Sequence, residues 1–304
     1  MSSPGPARPR NLALGYGLAV GSAAFYAIGG NFAKLVFLRG VAPATLAEFR
    51  VLFAFLFYLA AVALTRPADL RVRRSELPYL LVFGVLGLAG VQLAYFESIA
   101  RLPIGVALVI EYTAPVMIFV VWRLRGRTVG GRLWIAGALT LTGSWFVVGA
   151  YDAALRELNA LGAAIAFLDA VLLAVYLVTA ERLVRRSSAW TVLLWGFGFA
   201  TLAWQVRRPL WELPWTSQSG EVWLLILAVV VVATIVPYLL SVAAVAHIPA
   251  ARLGLTSTSE PVIAAVAAWS ILGERLELLQ IGGGAVVLAG IVVAQSLRPT
   301  DGGV

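Results

Sequence analysis

Ten apolar segments organise this sequence, at 12–36, 44–65, 77–98, 103–122, 132–150, 159–180, 189–206, 222–245, 249–271 and 278–296. A helix of about 20 apolar residues crosses a hydrocarbon core of roughly 30 Å, and most of these segments approach or exceed that length. A soluble domain can bury one or two such runs, but not ten. The chain is 61% hydrophobic and only 12% charged, where a soluble domain carries about 25% charged residues. The expected fold class is an all-α polytopic membrane protein with ten transmembrane helices. Arg8 and Arg10 before the first segment imitate a secretory leader, but the run from Leu12 to Val36 is about twice the usual leader core of 7–15 residues. It reads as a permanent first helix.

Composition removes several kinds of chemistry. There is no cysteine and a single histidine, His247, in a short turn. Thiol catalysis and disulfides are excluded, and a histidine-rich metal site has no ligands. No cofactor and no metal are expected. The net charge of +8 does not point to nucleic acid, because no basic stripe is interleaved with aromatics. It reflects arginines flanking membrane helices. With both termini in the cytoplasm, fifteen arginines collect on that side against seven basic residues on the other, Arg50 being inside a segment. That asymmetry fixes the expected orientation. Eight of the ten tryptophans stand at or just beyond segment ends, as interfacial rings do; Trp145 and Trp195 lie deeper.

The chain also repeats itself. Residues 103–122 read PIGVALVIEYTAPVMIFVVW and residues 249–269 read PAARLGLTSTSEPVIAAVAAW, so that Pro103 and Pro115 recur as Pro249 and Pro261 at a shift of 146. Further on, Gly137, Ala138, Leu141 and Gly143 recur as Gly284, Ala285, Leu288 and Gly290 at a shift of 147. The units are residues 12–150 and 159–296, between short cytoplasmic tails at 1–11 and 297–304. Five helices is an odd number, so the second unit is expected to enter the membrane from the opposite face. Inverted repeats of this kind typify transporters, with the site near the midplane where the halves meet.

Several motifs carry a family likeness. They are Pro43, Leu46 and Arg50 opening the second segment, Gly29 to Phe32 in the first, and Ser259, Glu260, Pro261, Gly273 and Glu274 around the ninth. In this order the chain resembles the drug/metabolite transporter superfamily, EamA-type, and within it is most similar to the bacterial YddG-type aromatic amino acid exporters. The resemblance implies a bacterial inner-membrane carrier with a central cavity walled by helices 1, 3, 4, 6, 8 and 9. One departure stands out: Trp195 lies near the place where the first half has Arg50.

Charged groups inside the segments are the functional candidates, because each costs about 2.5–3.5 kcal/mol at the centre of a membrane helix unless a partner or wet cavity receives it. Glu111 lies eight residues past Pro103, about 12 Å along a helix rising 1.5 Å per residue. Asp169 and Glu260 reach a similar depth. Together these acids could hold a substrate ammonium or carry a proton; alternatively each satisfies carbonyls freed by a neighbouring proline. Lys34 and Arg50 stand near the outer ends of helices 1 and 2. Lys34 could meet a substrate carboxylate or close an outer gate against Glu48 or Glu97. Asn31 is a hydrogen-bonding candidate one turn deeper. Tyr26, Tyr95, Tyr112, Tyr176 and Tyr238 suit a pocket for flat or cationic solutes, or ordinary packing. Ser257 stands at the repeat position of Glu111, and with Thr256, Thr258 and Ser259 competes for its own helix backbone. Gly29, Gly30, Pro115, Pro237 and Pro261 are the candidate hinges.

The function expected is export of small amphipathic metabolites, aromatic and other neutral amino acids first, by alternating access. Nucleotide sugars or amphipathic cations are the alternative solutes. An intramembrane enzyme would need a nucleophile–base pair or metal ligands at depth, and the sequence offers none. A permanent pore would need a continuous polar lining. The expected partners are a small-molecule substrate, the bilayer and protons as a candidate coupling ion, with the protein a monomer or dimer.

Overall fold

A computed structural model describes residues 11–151, 159–267, 269–270 and 277–296, apart from the side chains of Lys34 and Ile104. The terminal tails, Gly273 and Glu274 fall outside these residues. Among the described residues there is no strand. The helices are α1 (Leu12–Leu38), α2 (Pro43–Thr65), α3 (Leu77–Ile99), α4a (Ile104–Glu111) and α4b (Ala114–Leu124), α5 (Gly131–Val147), α6 (Ala160–Val184), α7 (Ala189–Arg207), α8 (Gly220–Ala244), α9a (Ala250–Ser257) and α9b (Glu260–Ala267), and α10 (Leu278–Gln295). Eight of them are long and apolar enough to cross a membrane. Two expected segments fall short of that test. Helix α5 has 17 residues, and the ninth segment, 249–271, lies partly outside the described residues, its last described helix ending at Ala267. The chain is thus an all-helical, multi-pass membrane protein.

Local chemistry sets the helix ends. Asn11 and Asn159 each accept a hydrogen bond from the backbone three residues on, and Ser188 and Ser219 do the same for α7 and α8, which satisfies one of the amides a helix start leaves open. Glu277 and Gln280 form a reciprocal capping box on α10. Helix α1 stops at Gly40 (φ 85°), with Val41 N–H donating back to the Val36 carbonyl, a left-handed stop that glycine takes without a Cβ penalty.

Packing relies on glycines and repeats at the spacing seen in the sequence. A Cβ on Gly143 of α5 would lie 2.6–2.7 Å from Val287 and the Gly283 carbonyl of α10. A Cβ on Gly290 would meet Thr140 and Ala136 of α5 at 2.8 and 3.0 Å. Residues 136, 140 and 143 become 283, 287 and 290 at a shift of 147, so each side of this interface repeats the other. The same holds deeper in the molecule. Gly29 of α1 backs onto Ala233 of α8, and Gly87 of α3 onto Tyr176 of α6; 29 and 176 correspond, as do 87 and 233. Close approach through small residues is how helices gain packing energy in lipid, where burying apolar groups gives little. The outward faces carry large apolar side chains, such as Leu64, Phe167, Leu202 and Leu224, as a lipid-facing surface requires.

Irregularities repeat too. Helix α3 is π-helical over Phe83–Gly90 and α8 over Val231–Ile235, so residues 85–89 and 231–235 correspond at a shift of 146. In α8 the cause is legible: Pro237 has no N–H, and its ring displaces the carbonyl of Ala233 four residues earlier. That carbonyl accepts from Arg50 of α2 at 2.9 Å instead. The Ile235 carbonyl accepts from the Tyr58 hydroxyl at 2.7 Å, and that of Pro237 from Ser22 at 2.8 Å. The loop before α8 folds back, with Trp215 stacked on Trp223 and both edge-on to Phe49 and Phe53, which suits an interfacial position.

Candidate functional site

The two broken helices bring the deep polar groups together. Helix α4 loses its regular pattern at Tyr112–Thr113 and α9 at Thr258–Ser259, again matched at a shift of 146, each just ahead of a proline in the second position of the next piece. Glu111 is the last residue before the first break and Glu260 the first after the second. Pro115 packs against Gly254 of α9a, where an added Cβ would be 2.7 Å from its ring. Helix α6 packs along both α4 and α9a and contributes Asp169, which is 1% exposed.

Glu111 is the centre of this group, since it interacts electrostatically with both Asp169 and Glu260. Glu111 and Glu260 are deeply enclosed by protein atoms, yet each keeps part of its surface accessible. Three polar groups nearby are buried without a hydrogen-bond partner among the described residues: the Tyr112 hydroxyl, Asp169 Oδ1 and Ser259 Oγ. Burying a polar atom unpaired costs about 1–3 kcal/mol. Several in one place mark a region arranged to receive a further polar molecule.

Tyrosines line the same interior. Tyr26 of α1 meets Tyr238 of α8 edge-on at 5.7 Å, Tyr238 meets Tyr176 of α6 edge-on at 5.9 Å, and Tyr176 stacks on Phe83 of α3 at 5.2 Å. The Tyr176 hydroxyl lies 3.3 Å from Ser241 Oγ. Tyr95 of α3 lies within electrostatic range of all three acids, and Tyr112 of Glu260 and Glu111. The elements contributing these groups are α1, α3, α4, α6, α8 and α9.

Other candidates lie apart from the acids. Asn31 is exposed, and its amide donates to the Ala27 carbonyl of its own helix at 3.3 Å. Ser257, the repeat counterpart of Glu111, spends its hydroxyl on the Leu253 carbonyl, as Thr256 and Thr258 do on Arg252 and Leu255. Helix α1 continues through Gly29 and Gly30; Gly29 is taken up by contact with Ala233, while Gly30 has open space beside it. The Lys34 side chain lies outside the described atoms, and both acids expected opposite it have other partners. Glu48 bonds Arg208, just past α7, and at 3.5 Å Arg207, the last residue of α7, and Glu97 bonds Arg101 at 2.7 Å. Trp145 is 41% exposed and Trp195 donates to the Leu70 carbonyl in a loop, so neither belongs to the interior.

Two groups join the interior against expectation. Arg50, an outer-end cation by its place in the sequence, lies seven residues beyond Pro43 and turns inward onto α8. Gln92 of α3 is 6% exposed with neither amide atom partnered. A polar side chain seven or more residues inside an apolar segment is the signal that marks both. A cavity of roughly 590 Å³ lies elsewhere, between the ends of α4b and α6, and is lined by Trp122, Arg125, Arg127, Val178, Glu181, Arg182, Arg185 and Arg186. Its arginines belong to the flanking-charge pattern, and it starts eleven residues beyond Glu111.

Comparison with known proteins agrees with this architecture. The threonine/homoserine exporter RhtA of Salmonella typhimurium strain LT2 is 28% identical over 228 residues, covering 73% of this chain and 72% of the exporter. An uncharacterized transporter of Archaeoglobus fulgidus is 28% identical over 266 residues, covering 85% and 90%. A protein crystal structure superposes with a TM-score of 0.74 at 20% identity, over 93% of this chain and 96% of the other, which speaks for the fold. The EamA-like transporter family matches twice, over residues 13–149 and 160–295. The chain therefore belongs to the EamA-like transporter family, within the drug/metabolite transporter superfamily.

Proposed function

We propose that the protein exports neutral amino acids, aromatic ones included, across the bacterial inner membrane by alternating access. The observation that carries this reading is the cluster of Glu111, Asp169 and Glu260, set between helices of both halves and edged by tyrosines and unpartnered polar atoms. Three carboxylates suit an ammonium group, and the tyrosine rings suit an apolar or aromatic side chain beside it. The similar threonine/homoserine exporter RhtA supports an amino acid as the solute without fixing the side chain. Nucleotide sugars fit poorly, because among the described groups at this depth Arg50 is the one cation.

On this reading the chain crosses the membrane ten times, as two inverted five-helix halves with both termini in the cytoplasm. Two ion pairs then hold the halves together on opposite faces. Arg39, after α1, pairs with Glu221 at the start of α8 at 2.5 Å, and Arg186, after α6, pairs with Glu76 ahead of α3 at 3.1 Å. Arg39 and Arg186 differ by 147 in number and Glu76 and Glu221 by 145, so the pairs are repeat counterparts. Opening one face means parting one pair while the other holds, with the breaks at Pro115 and Pro261 and the bend at Pro237 taking up the movement.

The test is flux in proteoliposomes with labelled L-threonine, L-homoserine and L-phenylalanine, with and without a pH gradient. Saturable movement of at least one of them is expected, and acceleration by the gradient would identify protons as the coupling ion. If none moves under either condition, the amino-acid reading is wrong.

A further inference from the structure

The interior has a positive pole as well as a negative one. Arg50 is held to α8 by two of its three guanidinium nitrogens: Nε donates to Thr234 Oγ1 at 2.8 Å and one terminal nitrogen to the Ala233 carbonyl at 2.9 Å. The other terminal nitrogen has no partner among the described residues, and the side chain is only half-buried. Thr234 is one turn before Tyr238, whose ring touches Tyr26 and Tyr176, so the guanidinium enters the tyrosine wall from the side of α2 and α8.

Arg50 forms no ion pair with Glu111, Asp169 or Glu260, although nothing else among the described residues neutralises it. The tyrosines lie within electrostatic range of both poles. Tyr26 interacts with Arg50 and Glu260, Tyr238 with Arg50, Glu111 and Asp169, and Tyr95 with Arg50 and all three acids. Opposite charges in a poorly polar interior attract strongly. Here the guanidinium is tied to α8 instead, by its bonds to Thr234 and the Ala233 carbonyl. A guanidinium with a free N–H edge is suited to a carboxylate, and a zwitterion would bridge the gap with its ammonium on the acids.

We propose that Arg50 is a specificity-determining residue that receives the carboxylate of an α-amino acid, while the Glu111 cluster receives its ammonium. The proposal rests on the amino-acid reading above and narrows it: simple cationic amines, which that cluster alone would accept, are disfavoured. It also gives Arg50 a role beyond capping the Ala233 carbonyl that Pro237 leaves open. A purely structural arginine would hold α8 in place without distinguishing one ligand from another.

The experiment measures binding of L-threonine, L-phenylalanine and their carboxamides to the purified full chain in lipid nanodiscs. The carboxamides keep the ammonium and the side chain and lose only the negative charge. Wild type is expected to bind each acid about 10- to 100-fold more tightly than its carboxamide, the span of a charged hydrogen bond. The variant R50Q, which keeps an amide able to bond α8, is expected to lose that preference while still binding the carboxamides. Equal binding of acid and carboxamide by wild type overturns the proposal, and so does a preference that survives in R50Q. Should R50Q fail to fold, T234V, which removes the hydroxyl that positions the guanidinium, is expected to narrow the same preference, and an unchanged preference there overturns the proposal. If wild type binds neither acids nor carboxamides, the amino-acid reading fails, and this inference with it.

Discussion

The two halves of the molecule share their scaffold and differ in their polar interior. Gly29 on Ala233 has its counterpart in Gly87 on Tyr176, Gly143 on α10 in Gly290 on α5, and the break at Tyr112–Thr113 in the break at Thr258–Ser259. The side chains at those breaks are unrelated. Glu111 corresponds to Ser257, which bonds its own helix, and Glu260 to Ala114. Arg50 corresponds to Gly196 or Phe197 in α7, and Phe197 packs its ring against Tyr58 and Tyr238. On the alternating-access reading proposed above, two similar halves would let the molecule rock between two equivalent arrangements. A site between them need bind only one asymmetric solute, so its polar groups are free to diverge.

This contrast can be broken most sharply at the breaks themselves. Glu111→Gln should lower amino acid transport by about 10- to 100-fold, the span of a lost charged hydrogen bond, with the protein still folded by size-exclusion chromatography. Ser257→Ala, at the matched position, should stay within about twofold of wild type in the same flux assay. Equal losses would mean that the halves contribute alike to the site. Glycine contacts come next. Gly143→Leu and Gly290→Leu should each destabilise by about 1–3 kcal/mol, the usual cost of overpacking, read as a lower melting temperature in detergent. Gly282→Leu, on the same helix as Gly290 but with open space around it, should leave the melting temperature unchanged.

The smallest effect should fall on the paired ion bridges. Glu221 is 64% exposed, and its pairing with Arg39 is worth about 0–1 kcal/mol. Glu76 is fully buried, and removing one member of a pair with a buried charge costs more. Glu221→Ala should therefore shift stability by under about 1 kcal/mol and Glu76→Ala by clearly more. Cysteine-accessibility labelling on the two faces would show whether each loss favours opening of its own side.

Much of this is legible in the sequence because it is periodic. Apolar runs mark every helix within a few residues, since a chain in lipid must satisfy its backbone bonds internally and has few alternatives to helix. The prolines mark both breaks, and the spacing of 146–147 marks the correspondence of the halves. The candidate site is only partly legible. Glu111, Asp169, Glu260 and the tyrosines can be named by depth along a helix, but depth says nothing about the direction a side chain faces. Asn31 and Ser257 reach a suitable depth and bond their own helices, whereas Arg50 has the position of an end charge and points inward.

The sequence by itself therefore determined whatever composition and period dictate: a multi-pass helical membrane protein, built of two related units, with a proline break in each. Tertiary structure decided whatever depends on rotation about a helix axis and on neighbours distant in sequence. It placed Arg50 on the carbonyl that Pro237 leaves open, put Tyr26, Tyr176 and Tyr238 in ring contact, and set Glu111 within reach of the charges of both Asp169 and Glu260. The physical reason is the helix itself. One residue advances a position by about 1.5 Å but turns it by about 100°, so depth can be counted along the chain while facing is settled only when the helices pack.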